Sequence, residues 1–189
     1  MPNQRNWTEL KPLLLPLVLT AVLLVVDQVT KAIIVANVER LEYGGPVIEV
    51  LGDFLRIIHV RNPGIAFSIG RDLAPALRRA LFIVLPVLVI GGLILYYFRS
   101  DEFTRLQRWT IAGIIAGGIG NIIDRILRPA GVVDFIDVRF YGLFGLERWP
   151  TFNVADASVV VCGILLMVSV LFERGHEHEH GSTHDEQEG

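Results

Sequence analysis

Cysteine is nearly absent from this chain. The one copy, Cys162, stands inside an apolar block, so an intrachain disulfide is excluded and the residue reads as a small buried hydrophobe. Histidine is scarce where it would matter: outside the C-terminal tail only His59 occurs, and no Ser-His-Asp or Cys-His set can be assembled. There is no long internal repeat. What is most conspicuously missing is charge, from four long stretches. Hydrophobic residues make up 52% of 189 positions, little more than in a soluble domain, but they come in blocks with the charges gathered between them. The net charge of −3 comes largely from the tail and says little about partners.

An apolar helix needs roughly 20 residues to cross a bilayer. The four blocks near that length run from about Leu13 to Ala36, Ala80 to Phe98, Trp109 to Leu127 and Asn153 to Phe172. Backbone groups in lipid must be satisfied within the segment, so each block predicts a helix. The first block follows Arg5 and Lys11 as a signal peptide would. It is long, however, and has Asp27, Gln28 and Lys31 where small cleavage-site residues belong, so it reads as an uncleaved anchor. Between the first two helices, Val47–Val50 and Phe54–Val60 flank Gly52-Asp53 and predict a small β-hairpin. Phe140, Tyr141, Phe144 and Trp149 suit a segment at headgroup level. Residues 1–174 then form one membrane-embedded domain, and the polar, His-rich stretch 175–189 predicts a disordered tail. Arginines do not settle orientation: Arg40, Arg56, Arg61, Arg71, Arg78 and Arg79 crowd the first long loop, and Arg99, Arg105 and Arg108 the short one.

Ionisable residues inside spans are costly and point to function by default. Asp27 and Lys31 are four apart on one helix face and either neutralise each other or meet a substrate. Gly113 and Gly117 allow close helix approach. Asn121, Asp124 and Arg125 end the third helix, as an interfacial ion-pair cluster or as groups that position catalytic ones. Asp156 stands three residues after Asn153, where a carboxylate in the first turn complements the helix dipole and an Asn is a natural cap. Asp134 lies in an apolar stretch after the third helix. That helix ends and the fourth begins at the same membrane face, so Asp134 and Asp156 can meet at one depth and share a proton. Asp137, three residues on, is expected to be dispensable. The run His176-Glu177-His178-Glu179-His180 matches H-E-x-x-H literally, but in a polar tail rather than on a buried helix with a third ligand, so no catalytic zinc is expected.

Taken in order, the motifs resemble those of the lipoprotein signal peptidases (signal peptidase II) from about Leu13 to Phe172. They are Asp27-Gln28-x-Thr30-Lys31, Asn62-Pro63-Gly64-x-Ala66-Phe67, Gly117-Gly118-x-Gly120-Asn121-x-x-Asp124-Arg125, Val132-Val133-Asp134-Phe135-Ile136 and Phe152-Asn153-x-Ala155-Asp156. The resemblance implies a four-helix intramembrane aspartyl endopeptidase of the bacterial inner membrane. Such an enzyme removes the signal peptide of a prolipoprotein just before its diacylglyceryl-modified cysteine. It implies a catalytic pair at Asp134 and Asp156, with Asn121, Arg125, Asn153, Asn62, Asp124, Asp27, Lys31, Gly64 and Ala155 binding substrate or ordering the site. It further implies a periplasmic β platform around Val47–Phe67 and both termini in the cytoplasm. The expected partners are prolipoproteins and membrane lipids, not nucleic acid, and the chain is expected to act as a monomer without metal or cofactor. The rivals are a proton-coupled transporter, whose carboxylates would be spread through the membrane depth, and an assembly protein built on glycine-lined packing.

Overall fold

The computed structural model describes residues 7–64, 74, 76–77 and 80–185. A short helix α1 (Trp7–Leu14) leads into α2 (Pro16–Asn37). A π-turn (Ala80–Val84) opens into α3 (Leu85–Arg99), followed by α4 (Arg105–Leu127) and α5 (Val154–Asp185). Four stretches are long and apolar enough to cross a membrane: Lys11–Tyr43, Ala80–Arg99, Arg105–Leu127 and Val154–Glu173. The backbone of α5 is helical through Asp185, where composition predicts disorder. Ala66, Phe67, Arg71, Arg78, Arg79 and the last four residues lie outside the described residues.

The bundle keeps its ionisable groups inside, beside an apolar core that includes Ile90, Ile111 and Ile115, and turns other apolar residues outward. On α2 the residues Val18, Val22, Val25, Val29 and Ile33 are each more than half exposed, whereas Asp27 and Lys31 on the opposite face are buried. The central helix is α4, and its glycines set the spacing. A methyl on Gly117 would collide with the Ala155 carbonyl and Val159 of α5. Hydroxyls fasten the same helix from both sides: Thr20 donates to the Ala112 carbonyl (2.8 Å) and Ser158 to that of Gly113 (2.6 Å). A capping box starts α4, with Thr104 accepting from the Gln107 N–H and Gln107 reaching back to the Thr104 N–H. At this end of the bundle the Tyr97 hydroxyl donates to the Leu13 carbonyl (2.7 Å).

A three-stranded antiparallel sheet in the order β1 (Ile48–Leu51), β2 (Leu55–Asn62), β3 (Val132–Val138) sits at the other end. The first two strands are the expected hairpin. The third is a correction: Val132–Val138 read as an apolar stretch after a helix, because a buried strand without alternation has no period of its own. Pairing of Arg61 with Val133 and of Val60 with Asp134 fixes where the Asp134 side chain lies. After a hairpin at residues 139–148 the chain returns along β3. Phe152 donates to the Ile136 carbonyl (3.1 Å) and accepts from the Phe135 and Ile136 N–H groups (3.0 and 2.8 Å). That return delivers Asn153, the next residue, beside Asp134.

Candidate active site

The carboxylates come together at the sheet end of the bundle. Asn153 links two of them. Its amide donates to Asp134 Oδ1 (2.7 Å), its backbone N–H donates to Asp156 Oδ2 (3.2 Å), and its Oδ1 accepts from the Asp156 N–H (2.9 Å). The last two bonds form a reciprocal cap on α5, so the helix-capping role foreseen for Asp156 is real. The other oxygen of Asp156 is engaged separately, accepting from the Asn121 amide on α4 (2.7 Å). Asp134 Oδ2 accepts from Asn62 on β2 (3.0 Å), and Asn62 Oδ1 in turn accepts from the Gly64 N–H (3.2 Å). Gly64 has φ +126° and backs onto the Phe82 ring, so a side chain is excluded there twice over.

Behind the pair lies a charge cluster in which Asp27, Lys31 and Asp124 have almost no access to solvent and Arg128 is half-buried. Lys31 Nζ is fully buried, 2.9 Å from Asp27 Oδ2 and 3.2 Å from Asp124 Oδ2, and donates to Asn121 Oδ1 at 3.1 Å. Asp124 also pairs with Arg128 and accepts from the Val133 N–H (3.0 Å). Asp27 Oδ1 accepts from the Ala155 N–H (2.9 Å), so a carboxylate of α2 caps the start of α5. Two anions and two cations balance, which is the condition for burying them. The Lys31 donation also fixes Asn121: with its oxygen held, its NH₂ group must face Asp156. Of the two readings of Asp27 and Lys31, mutual neutralisation is the one the contacts describe, and Asn121 and Asp124 belong to the same ion-pair cluster. Gly120 makes room for it, because a methyl there would lie 2.7 Å from Asp27 Oδ2 and 3.1 Å from the Ala155 Cβ.

Arg125 faces the pair from α4. It donates to the Phe82 carbonyl (2.7 Å) and stacks 5.5 Å above that ring, and its buried Nε has no hydrogen-bond partner among the described residues. Burial, and next the charge of Asp156, push the Asp134 carboxyl from its ordinary 3.8 up to about 7, against the hydrogen bonds from Asn62 and Asn153 and the charge of Lys31. Beside Asp156 opens an apolar cavity of about 530 Å³ whose walls include Val138, Phe140, Trp149, Phe152 and Val161.

Several residues that hold this arrangement together were given no such part by the sequence. Gln28 donates to Asp27 and Asp124 and accepts from Arg128 (3.0, 3.2 and 3.2 Å). The signal for Arg128 was its spacing, one turn beyond Asp124 on the same face. Gly131, at φ +103°, turns the chain against the Asn62 backbone, where no Cβ fits. Asp137, which the sequence leaves outside the catalytic pair, holds the sheet and hairpin together. It is buried and ion-paired with Arg56 (2.7 Å) and Arg148 (2.8 Å), which also reach Asp53 on the β1–β2 turn. His59 lies elsewhere on β2, 2.7 Å from the Val38 carbonyl, and burial pushes it below its ordinary value. The His176–His180 run lies at least 20 residues along α5 from Asp156, roughly 30 Å or more at 1.5 Å per residue. Among the described residues no group of three or more His, Cys, Asp or Glu could hold a metal ion.

The chain is similar to known proteins over most of its length. The family description "Signal peptidase (SPase) II" matches residues 19–172. A lipoprotein signal peptidase of Treponema pallidum (strain Nichols) is 48% identical over 157 residues, 83% of each chain. One from Treponema denticola is 48% identical over 159 residues, 84% of this chain and 90% of that one. One from Borrelia turicatae is 42% identical over 154 residues, 82% and 88% of the two chains. A solved bacterial membrane enzyme, determined by the in meso method at 2.3 Å resolution, superimposes with a TM-score of 0.72 at 29% identity, covering 85% of this chain and 90% of that one. With a match over most of its length and relatives this similar, the chain belongs to the signal peptidase II family.

Proposed function

We propose that this chain is an intramembrane aspartyl endopeptidase that removes the signal peptide from diacylglyceryl-modified prolipoproteins, cutting just before the lipidated cysteine. The observation that carries the reading is the joining of Asp134 and Asp156 through Asn153. Two buried carboxylates in one network cannot both ionise freely, so the pair holds a single negative charge near neutral pH. Asp134, raised to about 7, is the member that keeps the proton. Asp156 takes a proton from a water as its oxygen attacks the scissile carbonyl carbon, while Asp134 gives its proton to the carbonyl oxygen. In the second step Asp156 returns a proton to the departing amine of the cysteine and Asp134 recovers one from the tetrahedral diol. The C–N bond breaks and the signal peptide leaves as a carboxylic acid. Arg125 Nε, buried and without a partner among the described residues, would donate to a substrate carbonyl. The steps need neither metal nor cofactor. Asp27 and Asp124 are tied up in ion pairs, which disfavours a proton relay through them.

The enzyme acts in the bacterial cytoplasmic membrane on prolipoproteins, as a monomer, with both termini in the cytoplasm and the sheet end at the periplasmic interface. Cysteines placed in the loop between α2 and α3, in a Cys162→Ala background, react with an impermeant thiol reagent on intact spheroplasts; labelling only after lysis refutes this orientation. The decisive experiment is incubation of purified protein with a lipidated precursor peptide, read by mass spectrometry. The parent releases the signal peptide. Asp134→Asn and Asp156→Asn fold, insert and leave the precursor uncut. If Asp156 served only as a cap, Asn would cost about 0.3–1 kcal/mol of stability and spare turnover. Near-normal cleavage by either variant at matched protein level removes that residue from the mechanism.

A further inference from the structure

We propose that a cavity at the end of the bundle opposite the sheet, between the α1–α2 junction and the first turn of α4, is a site for the phosphate headgroup of an anionic membrane lipid. The cavity holds about 390 Å³ and is lined by Lys11, Pro12, Leu15 and Pro16 from the first segment and by Arg105 and Trp109 from α4. It stands at the other end of α4 from Asn121 and Asp124, roughly 24 Å away at 1.5 Å per residue, so the proposal does not depend on the peptidase reading. Lys11 and Arg105 are exposed, and among the described residues neither side chain has an ion pair or a hydrogen bond. No carboxylate stands on the lining. Glu173, which α5 brings to the same turn of α4, is engaged by the Gln107 amide (2.8 Å), and Arg108 donates to the Tyr97 and Ser100 carbonyls (3.4 and 3.1 Å).

Two unpaired cations on one rim favour an anion, and an arginine with a lysine suits phosphate oxygens. The rest of the lining says which kind of anion. Pro12, Leu15 and Pro16 are apolar, and Trp109, half-buried, is of the type that sits at headgroup level. Two spans begin here, at Lys11 and at Arg105, so the cavity lies where hydrocarbon gives way to water. The Leu15 N–H donates to the Lys11 carbonyl (3.0 Å), which puts Lys11 one helical turn before Leu15 on the same face. Leu15, Val18 and Val22 continue that face down α2 as an exposed apolar stripe. A free phosphate would meet the cations and leave floor and stripe bare. At roughly 30 Å³ per water the cavity has space for on the order of 13 waters, well beyond a bare phosphate. A lipid covers all of it, with its phosphate on Lys11 and Arg105, its glycerol over the prolines and one chain along Leu15, Val18 and Val22. A zwitterionic lipid would bring an ammonium of its own toward the same two cations, so the site selects for net negative headgroups. Glu177 and Glu179 of the tail are the other anions at this end, but they have no apolar part for the floor, and the helical backbone of α5 carries them on past Glu173.

The test uses the full-length protein in phosphatidylcholine vesicles, with Trp7 and Trp149 changed to Phe so that Trp109 is the reporter. A minor share of the lipid is brominated high on its acyl chains and is either phosphatidylglycerol or phosphatidylcholine. The expected result is that the anionic lipid quenches Trp109 at a mole fraction on the order of 25-fold lower, about fivefold for each cation. Lys11→Gln and Arg105→Gln each lower that preference about fivefold, and the double variant brings it close to one. Both residues are exposed, so the variants are expected to fold, which size exclusion checks; Arg105→Lys keeps the charge and most of the preference. Equal quenching by the two lipids, or a preference that survives in the double variant, overturns the proposal. So does a preference that inorganic phosphate removes at an ionic strength at which chloride does not, because the cations then hold a soluble anion. Truncation after Arg174 reads the remaining occupant. An unchanged preference supports the proposal, and a preference that arises only in the truncated chain shows that the tail fills the cavity and overturns it.

Discussion

The proton held by Asp134 has a thermodynamic signature that can be measured apart from catalysis. Its folded value of about 7 against an ordinary 3.8 means that between those pH values the folded chain keeps a proton the unfolded chain has released. Stability therefore falls as pH rises through this window, the opposite of the behaviour of a salt-bridged carboxylate. At about 1.4 kcal/mol per pH unit the full cost is somewhat above 4 kcal/mol once the pH is above 7. Asn at this position cannot ionise and escapes that cost. It brings one of its own: both Asp134 oxygens accept from amide donors, Asn62 and Asn153, so an NH₂ group must face one of them, at about 1 kcal/mol. Asp134→Asn is therefore expected to be more stable than the parent by about 3 kcal/mol at pH 8, with the advantage vanishing between about pH 4 and 5. Melting followed by intrinsic tryptophan fluorescence in one detergent, at matched pH for both proteins, gives the two curves. Parallel curves, or a parent that grows more stable from pH 5 to 8, refute the assignment of the proton. The stabilised variant should be the inactive one.

Other substitutions read other parts of the arrangement. Lys31→Met strands Asp27 and Asp124 and is expected to cost about 3–5 kcal/mol, seen as lost monodisperse protein on size exclusion; adding Asp124→Asn should recover part of it. Asp137→Asn should lower stability by about 2 kcal/mol while leaving kcat at low temperature close to that of the parent, because its arginines hold the hairpin and not the reacting groups. Gly120→Ala forces Asp27 and Ala155 apart, with an expected loss of about 1–3 kcal/mol and slower cleavage, whereas Gly91→Ala, with nothing within 4 Å, should be neutral in both assays. Truncation after Arg174 should leave the cleavage rate unchanged, since the removed residues lie at the far end of α5 from Asp156.

The spans were legible because a membrane imposes one pattern, a long apolar run, and α2 through α5 each carry it. The paired carboxylates were legible because Asp134 and Asp156 flank a loop that begins and ends at one face. What binds them was not. Asn153 bridges them only because the segment before it lies along β3, and no local signal distinguishes Val132–Val138 from the end of a helix. The ion pairs of Asp137 were hidden for a related reason: its partners Arg56 and Arg148 are 81 and 11 residues away, and only the sheet brings them within reach. Gln28 stood inside a recognised motif but gave no sign that its amide would join Asp27 to Asp124 across two helices.

The reach of Asp27 across 128 residues to the Ala155 N–H has a consequence for how the protein is made. Lys31 waits for Asn121 over 90 residues, and Asn62 for Asp134 over 72. Contacts this distant in sequence form late, after the chain between them is in place. While the ribosome is still supplying α5, the first helix holds a buried lysine and aspartate whose other partners have not arrived, and no hydrolytic centre exists in any partial form. A nascent chain cut short before Val154 is therefore expected to be wholly inert rather than weakly active.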